Sequence, residues 1–156
     1  MKTRKSWQMA VVSGLLALGG VMVSSTASAS AFGVEQMDGF DFEIGGVTIK
    51  VPAGCELAHR IRGDGRKITE QTAWVGCDDI TGTFTKGLCN WHIDFHYADT
   101  NGKTYKINRG KTHPSCNRGP LREVKTDHTL PHYGKACAHF VVNGETRGVQ
   151  CHYIVK

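Results

Sequence analysis

Three side chains suited to metal binding or proton transfer alternate along one short stretch of the sequence. His92, Asp94 and His96 are separated by Ile93 and Phe95, and residues two positions apart on a β-strand project from the same face. Two imidazoles in this arrangement hold a divalent metal only when the fold brings further ligands to them. We favour a simpler interpretation, a solvated strand face opposite an aromatic core face, and expect neither a metal ion nor a cofactor.

Histidine is abundant, with eight in the chain. The others are His59, His113, His128, His132, His139 and His152. Two of them could serve as the general acid and base of a secreted phosphodiester hydrolase. Because no local pattern matches a known hydrolase arrangement, we favour histidines of the surface or of a pH-sensitive interface.

Other nucleophiles are scarce. Ser115 is the only serine beyond Ser30, and no Gly-x-Ser-x-Gly motif is present. Cysteines that are paired in disulfides cannot supply a reactive thiol. We therefore expect no catalytic residues and a protein that is not an enzyme.

Basic residues are concentrated between residues 103 and 125, where Glu123 is the only acidic side chain. They are Lys103, Lys106, Arg109, Lys111, Arg118, Arg122 and Lys125. On a folded hairpin and loop they could form one positive surface that attracts an acidic partner, or they could belong to an ordinary solvated loop. Tyr105 is the only aromatic residue among them, so nucleic acid is not the expected partner.

The first 31 residues have the organisation of a cleaved signal peptide. Positively charged residues precede an apolar run at residues 9–23, and small residues follow up to Ala31. This order predicts export to the extracellular space, a mature chain that starts at Ser30 or Phe32, and no membrane span. Three basic residues leave with the leader, which lowers the formal charge from +5 to +2.

The cysteines predict three disulfides. An even number in an exported chain is typical of a disulfide framework, and the closest two are 12 residues apart, too far for the close pairs of zinc sites. The six are Cys55, Cys77, Cys89, Cys116, Cys137 and Cys151. Sequential pairing is our preferred connectivity among those that six cysteines allow.

That preference rests on three successive hairpins, each bracketed by one pair of cysteines. Alternating residues flank turn signals at Gly63-Asp64-Gly65, at residues 99–102 and at Asn143-Gly144. An earlier hairpin at residues 40–51 turns at Gly45-Gly46, where positive φ angles are available.

The predicted fold is all-β, a small antiparallel sandwich or barrel built of these hairpins and stapled by the disulfides. No stretch has a sustained helical period. We expect one domain over residues 40–156, in which the proline-containing residues 111–135 form a loop or a broken edge segment. The acidic residues 32–39, with Phe32 and Glu35 as candidate binding residues, are expected to form a flexible arm without a strand partner.

Three short segments carry a resemblance to known proteins: LCNWHIDF at residues 88–95, NGKTY at residues 101–105 and LPHYGKAC at residues 130–137. They resemble small secreted proteins of actinobacteria, in particular the adaptor subunit of the umbrella toxin particles. The resemblance implies a non-enzymatic connector between a lectin-bearing subunit and a large repeat-containing toxin used against competing bacteria. It also implies that residues 32–39 insert into the lectin subunit and that the basic residues 103–125 grip the stalk of the toxin.

Two other functions stay open from the sequence. One is the secreted phosphodiester hydrolase, which would use some of the histidines. The other is a secreted protease inhibitor that presents residues 112–119, braced by Cys116, to a protease.

Overall fold

The computed structural model describes residues 30–77 and 87–156, so residues 1–29 of the predicted leader lie outside the described part. The described residues form ten strands: β1 (Ala31–Met37), β2 (Phe40–Ile44), β3 (Val47–Val51), β4 (Cys55–Asp64), β5 (Lys67–Cys77), β6 (Trp91–Asp99), β7 (Thr104–Asn108), β8 (Leu121–Thr129), β9 (Gly134–Val142) and β10 (Glu145–Ile154). None of the described residues forms a helix that could cross a membrane.

The strands form two four-stranded antiparallel sheets and one separate hairpin. The first sheet has the order β1-β4-β5-β8 and the second has the order β10-β9-β6-β7, while β2 pairs with β3 and with no other described strand. The prediction of an all-β fold of successive hairpins is confirmed, because β2–β3, β4–β5, β6–β7 and β9–β10 are all adjacent antiparallel pairs.

The core lies between the two sheets and follows from the period-two pattern of the strands. On β6 the odd-numbered residues are buried, as predicted from the sequence for the aromatic face of this strand. They are Trp91, Ile93, Phe95 and Tyr97. The first sheet contributes residues such as Leu57 to the same cluster. Burial of these large apolar side chains is the main stabilising contribution of the sandwich.

The sequential disulfide pairing is confirmed. Cys55 pairs with Cys77 and Cys137 with Cys151, in each case directly across a strand pair. The third disulfide joins Cys89 to Cys116. Three disulfides are consistent with a protein of an oxidising, extracellular compartment.

The β2–β3 hairpin packs against the turn between β9 and β10. Asn143 donates a hydrogen bond of 2.7 Å to the Glu43 carbonyl, and the Arg147 guanidinium lies 4.7 Å from the centre of the Phe40 ring. Phe42 and Ile49 of the hairpin are buried in the common core. The hairpin therefore covers one end of the sandwich.

The expectation of a flexible arm at residues 32–39 is corrected by the structure. All of β1 pairs with β4, from Ala31 opposite Ile61 to Met37 opposite Cys55. Met37 is buried, since it reaches the core from this edge of the sheet. The sequence did not reveal this pairing because the partner strand begins 18 residues after β1 ends, beyond the β2–β3 hairpin. A mature chain that starts at Phe32 would lack only the first residue of β1.

Residues 111–135 contain a regular strand where we expected a loop or a broken segment. β8 lies between Pro120 and Pro131 and alternates perfectly between exposed and half-buried positions. Among the described strands it is an edge strand, paired on one side with β5. The prolines bound the strand without interrupting it, which is where a sheet tolerates them.

Candidate functional site

Four polar side chains of β6 and β9 meet on the outer face of the second sheet. His92, Asp94 and His96 share one face of β6, as predicted, and His139 of β9 is the register partner of Asp94. Arg109 follows β7 and reaches the same carboxylate. We call these five residues the histidine cluster.

Asp94 is the centre of this cluster. It is 3% exposed, and its Oδ1 accepts a hydrogen bond of 2.8 Å from the Gly110 backbone N–H. Its Oδ2 lies 3.5 Å from Nη1 of Arg109, 3.7 Å from Nε2 of His92 and 4.0 Å from Nε2 of His96. One buried carboxylate is thus surrounded by two imidazoles and a guanidinium.

His96 and His139 stack on each other, with ring centroids 3.7 Å apart and an interplanar angle of 11°. Burial lowers the pKa of His96, although Asp94 opposes this effect. Burial and the neighbouring His96 lower the pKa of His139 to about 4. Both imidazoles are therefore neutral at neutral pH, and a neutral imidazole can accept a proton.

The structure revises the interpretation of this strand face as simply solvated. Asp94 is buried, and neither Arg109 nor His139 was connected with it from sequence, because the connection depends on the register of three strands. The outward position of His139 in the alternation of β9 was the available signal. Within residues 30–77 and 87–156, no group of three or more histidine, cysteine or acidic side chains is placed to hold a metal ion.

The outer face of the first sheet carries apolar side chains in a row across all four strands. Val34 of β1 lies opposite Ala58 of β4, and Ala58 lies opposite Trp74 of β5. Trp74 in turn lies opposite Leu121 of β8. The Phe32 ring stacks on the Trp74 ring, with centroids 5.8 Å apart. We call these five residues the apolar row.

Much of the apolar row is in contact with solvent. Phe32 is 60% exposed, Leu121 55% and Val34 42%. Exposed apolar side chains are normal when scattered singly, whereas a contiguous set is typical of an interaction surface. Phe32 was a predicted binding residue, but the rest of the row was missed, because only the strand register brings it together.

Charged residues lie beside the apolar row. Arg60 and Arg62 share the carboxylate of Glu70, at 2.9 Å and 3.6 Å. With Phe32 and Lys67 they line a groove of about 830 Å³ at the end of β1. The predicted binding residue Glu35 is exposed on β1 and lies outside this groove.

The seven predicted basic residues do not form one surface. Lys125 is exposed on β8 and pairs with Glu123 at 3.3 Å. Arg122 points into the sandwich instead, with its guanidinium 4.7 Å from the centre of the Phe95 ring. Burial lowers the pKa of Arg122, and its hydrogen bonds hold backbone carbonyls in place. It is a structural residue and unavailable to a partner.

The remaining five basic residues lie on β7 and its flanking segments. Lys106 is on β7, which is an edge of the second sheet, and its Nζ is 5.8 Å from the centre of the Tyr97 ring. Lys103, Lys111 and Arg118 are exposed on either side of the strand. Arg109 is exposed too, although it pairs with Asp94 of the histidine cluster.

Two further histidines lie in the core, where sequence reasoning expected surface positions. His59 is fully buried, and its ring is 4.9 Å from the ring of His152. Nε2 of His59 is 2.9 Å from the Gln71 amide nitrogen, and the Gln71 oxygen accepts a hydrogen bond from the Tyr97 hydroxyl. Burial lowers the pKa of His59 to about 3.

The chain matches no protein-family model, no curated protein sequence and no solved structure.

Proposed function

We propose that the protein is a secreted adaptor that joins subunits of an extracellular antibacterial toxin complex, and that it docks one partner on the apolar row. The observation that carries the docking part is the contiguity of Phe32, Val34, Trp74 and Leu121 across the solvent face of a complete sheet. The toxin complex, with its lectin-like subunit and its large repeat-containing toxin, comes from the sequence resemblance alone.

The apolar row has the properties of an interface centre. Aromatic side chains supply a large apolar area with little conformational freedom to lose, and Phe32 is already held against Trp74. Arg60 and Arg62 border the row and share the carboxylate of Glu70. We propose a partner surface that is apolar with an acidic border.

A second partner would bind elsewhere on the molecule. Lys103, Lys106, Arg109 and Lys111 lie on and beside β7, at the free edge of the second sheet. Positive charges along an edge strand also suppress unwanted strand pairing, and they attract an acidic surface over a distance set by the salt concentration. The proposed adaptor thus has an apolar contact on one sheet and an electrostatic contact on the other.

The test is affinity purification of the tagged mature protein from culture supernatant of the producing bacterium, followed by mass spectrometry. We expect large exported proteins to copurify with the unmodified chain. Leu121→Lys and Val34→Lys should each remove one partner, because both side chains are exposed on edge strands and a lysine there leaves a buried charge in the interface.

The matched control is Val155→Lys. Val155 is 63% exposed and follows β10 of the other sheet, so the change adds the same charge at an equally exposed apolar position. The control should retain every partner. Recovery of the unmodified protein alone, or equal loss of partners in Val155→Lys and Leu121→Lys, contradicts the proposal.

A further inference from the structure

The histidine cluster combines the groups that cleavage of RNA requires. Transesterification of RNA needs a base for the ribose 2′-hydroxyl, an acid for the leaving oxygen and positive charge at the phosphate. It needs no external nucleophile, because the substrate carries its own. His92, His96 and Arg109 supply these three kinds of group around Asp94.

We propose that the outer face of the second sheet cleaves single-stranded RNA, with His96 as general base and His92 as general acid. His96 accepts the proton of the 2′-hydroxyl while the 2′ oxygen forms a bond to phosphorus. The bond from phosphorus to the 5′ oxygen breaks, and His92 donates a proton to that oxygen. The products are a 2′,3′-cyclic phosphate and a free 5′-hydroxyl, so atoms and charge balance without a co-reactant.

The assignment of the base follows from the surroundings of His96. Its ring is stacked on His139, its pKa is lowered by burial, and Arg109 lowers it further. A neutral imidazole is therefore available at neutral pH. Asp94 lies 4.0 Å from Nε2 of this ring and stabilises the imidazolium that forms when the ring accepts the proton.

Arg109 is placed to bind the phosphate. Its side chain is 74% exposed while Nη1 remains 3.5 Å from the Asp94 carboxylate, so the rest of the guanidinium faces solvent. Donors of this kind bind the non-bridging oxygens and gain strength as charge develops in the transition state. Asp94 and His139 act as positioning residues.

The same face offers contacts for a flexible single strand. Tyr153 is 69% exposed and lies across from Lys135, whose Nζ is 5.1 Å from the centre of the tyrosine ring. An unpaired base can stack on an exposed aromatic ring, while a neighbouring cation contacts the phosphate backbone of the RNA. This activity is independent of docking on the first sheet, and it departs from the non-enzymatic interpretation of the sequence.

The experiment uses the mature protein with its three disulfides, a labelled single-stranded RNA and the same sequence as DNA, both with a chelator present. We expect cleavage of the RNA to 2′,3′-cyclic phosphate ends and no cleavage of the DNA. His96→Asn and His92→Asn should each lower the rate about 100-fold or more. Arg109→Ala should also lower the rate. The loss should persist at saturating RNA, where weaker binding of the substrate no longer limits the rate.

The control is His132→Asn, which changes an exposed histidine outside the cluster and should leave the rate within about twofold. All variants are purified in the same way, so a contaminating nuclease would cleave equally in every sample. The rate should fall as the pH is lowered through the depressed pKa of His96, whose charged or titratable neighbours are Asp94, Arg109, His92 and His139. Absence of cleavage between pH 4 and 9, or undiminished cleavage by His96→Asn, overturns the proposal.

Discussion

Nη1 of Arg122 on the first sheet donates a hydrogen bond of 2.5 Å to the carbonyl oxygen of Ile93 on the second sheet. The same guanidinium also binds the carbonyl oxygens of Asn108 and Arg109, at 2.8 Å and 3.1 Å. One side chain of β8 thus contacts β6 on the facing sheet, the end of β7 and the first residue after β7. Arg109 belongs to the histidine cluster, so Arg122 also holds the backbone of that surface.

Replacement of this guanidinium should lower the stability of the whole sandwich. We expect Arg122→Met to reduce the free energy of unfolding by about 2–4 kcal/mol, because several carbonyl groups at the sheet edge lose a charged donor. Lys125→Met is the matched control on the same strand, where the side chain is exposed, and should change stability by less than about 0.5 kcal/mol. Urea unfolding with the disulfides intact measures both, and equal stability of the two variants would contradict the structural role.

Acid should destabilise the fold through His59. Burial lowers the pKa of His59 from 6.5 to about 3, so between these values the unfolded state binds a proton that the folded state does not. The stabilising contribution is present above pH 6.5 and is lost as the pH falls toward 3, at up to about 1.4 kcal/mol per pH unit. His59→Gln should reduce this slope, as measured by urea unfolding at a series of pH values, whereas His132→Gln should not. An unchanged slope in His59→Gln would show that other groups cause the acid sensitivity.

The sequence predicted those features of the fold that depend on local pattern. Period-two alternation, turn residues and cysteine positions placed four hairpins and three disulfides, because a hairpin and a bracketing disulfide involve neighbouring segments. The β1–β4 pair and the β5–β8 pair were missed, since each joins segments separated by long stretches of chain. No periodicity within β1 or β8 identifies the partner strand.

The candidate surfaces were predicted only where their residues lie on one strand. The common face of His92, Asp94 and His96 was predicted, since all three lie on one strand. Strand order and register, which no local pattern contains, bring Arg109 and His139 to this face. They also bring Trp74 and Leu121 together in the apolar row, so neither grouping could be predicted from the sequence. The seven basic residues were grouped because they are close in sequence, but successive residues on β8 point to opposite faces.

Gly134 should not tolerate a side chain. Its φ is +146°, and a Cβ at this position would overlap the backbone of Ala98 and Asp99 on the neighbouring strand β6. We expect Gly134→Ala to lower the unfolding free energy by about 2 kcal/mol or more, since both backbone strain and overlap contribute. Gly102→Ala is the control, because Gly102 has φ +82° with open space around it, and it should show the smaller cost of strain alone, about 1 kcal/mol. Thermal unfolding of both variants decides this, and a Gly134→Ala variant no less stable than Gly102→Ala would contradict the close approach of the backbones.

The disulfide between Cys137 and Cys151 should contribute to stability without being needed for the shape of the histidine cluster. It closes a loop of 14 residues across the β9–β10 pair, and removal of such a loop constraint from the unfolded chain costs about 3 kcal/mol. Cys137 is also the register partner of His96. Because the backbone hydrogen bonds of β6 and β9 hold His96 independently of the sulfur atoms, the double variant Cys137→Ala with Cys151→Ala should keep the depressed pKa of His96. Urea unfolding measures the loss of stability, and a proton NMR titration of the histidine rings measures the pKa; a return of the His96 pKa to its ordinary value would show that the disulfide positions the cluster.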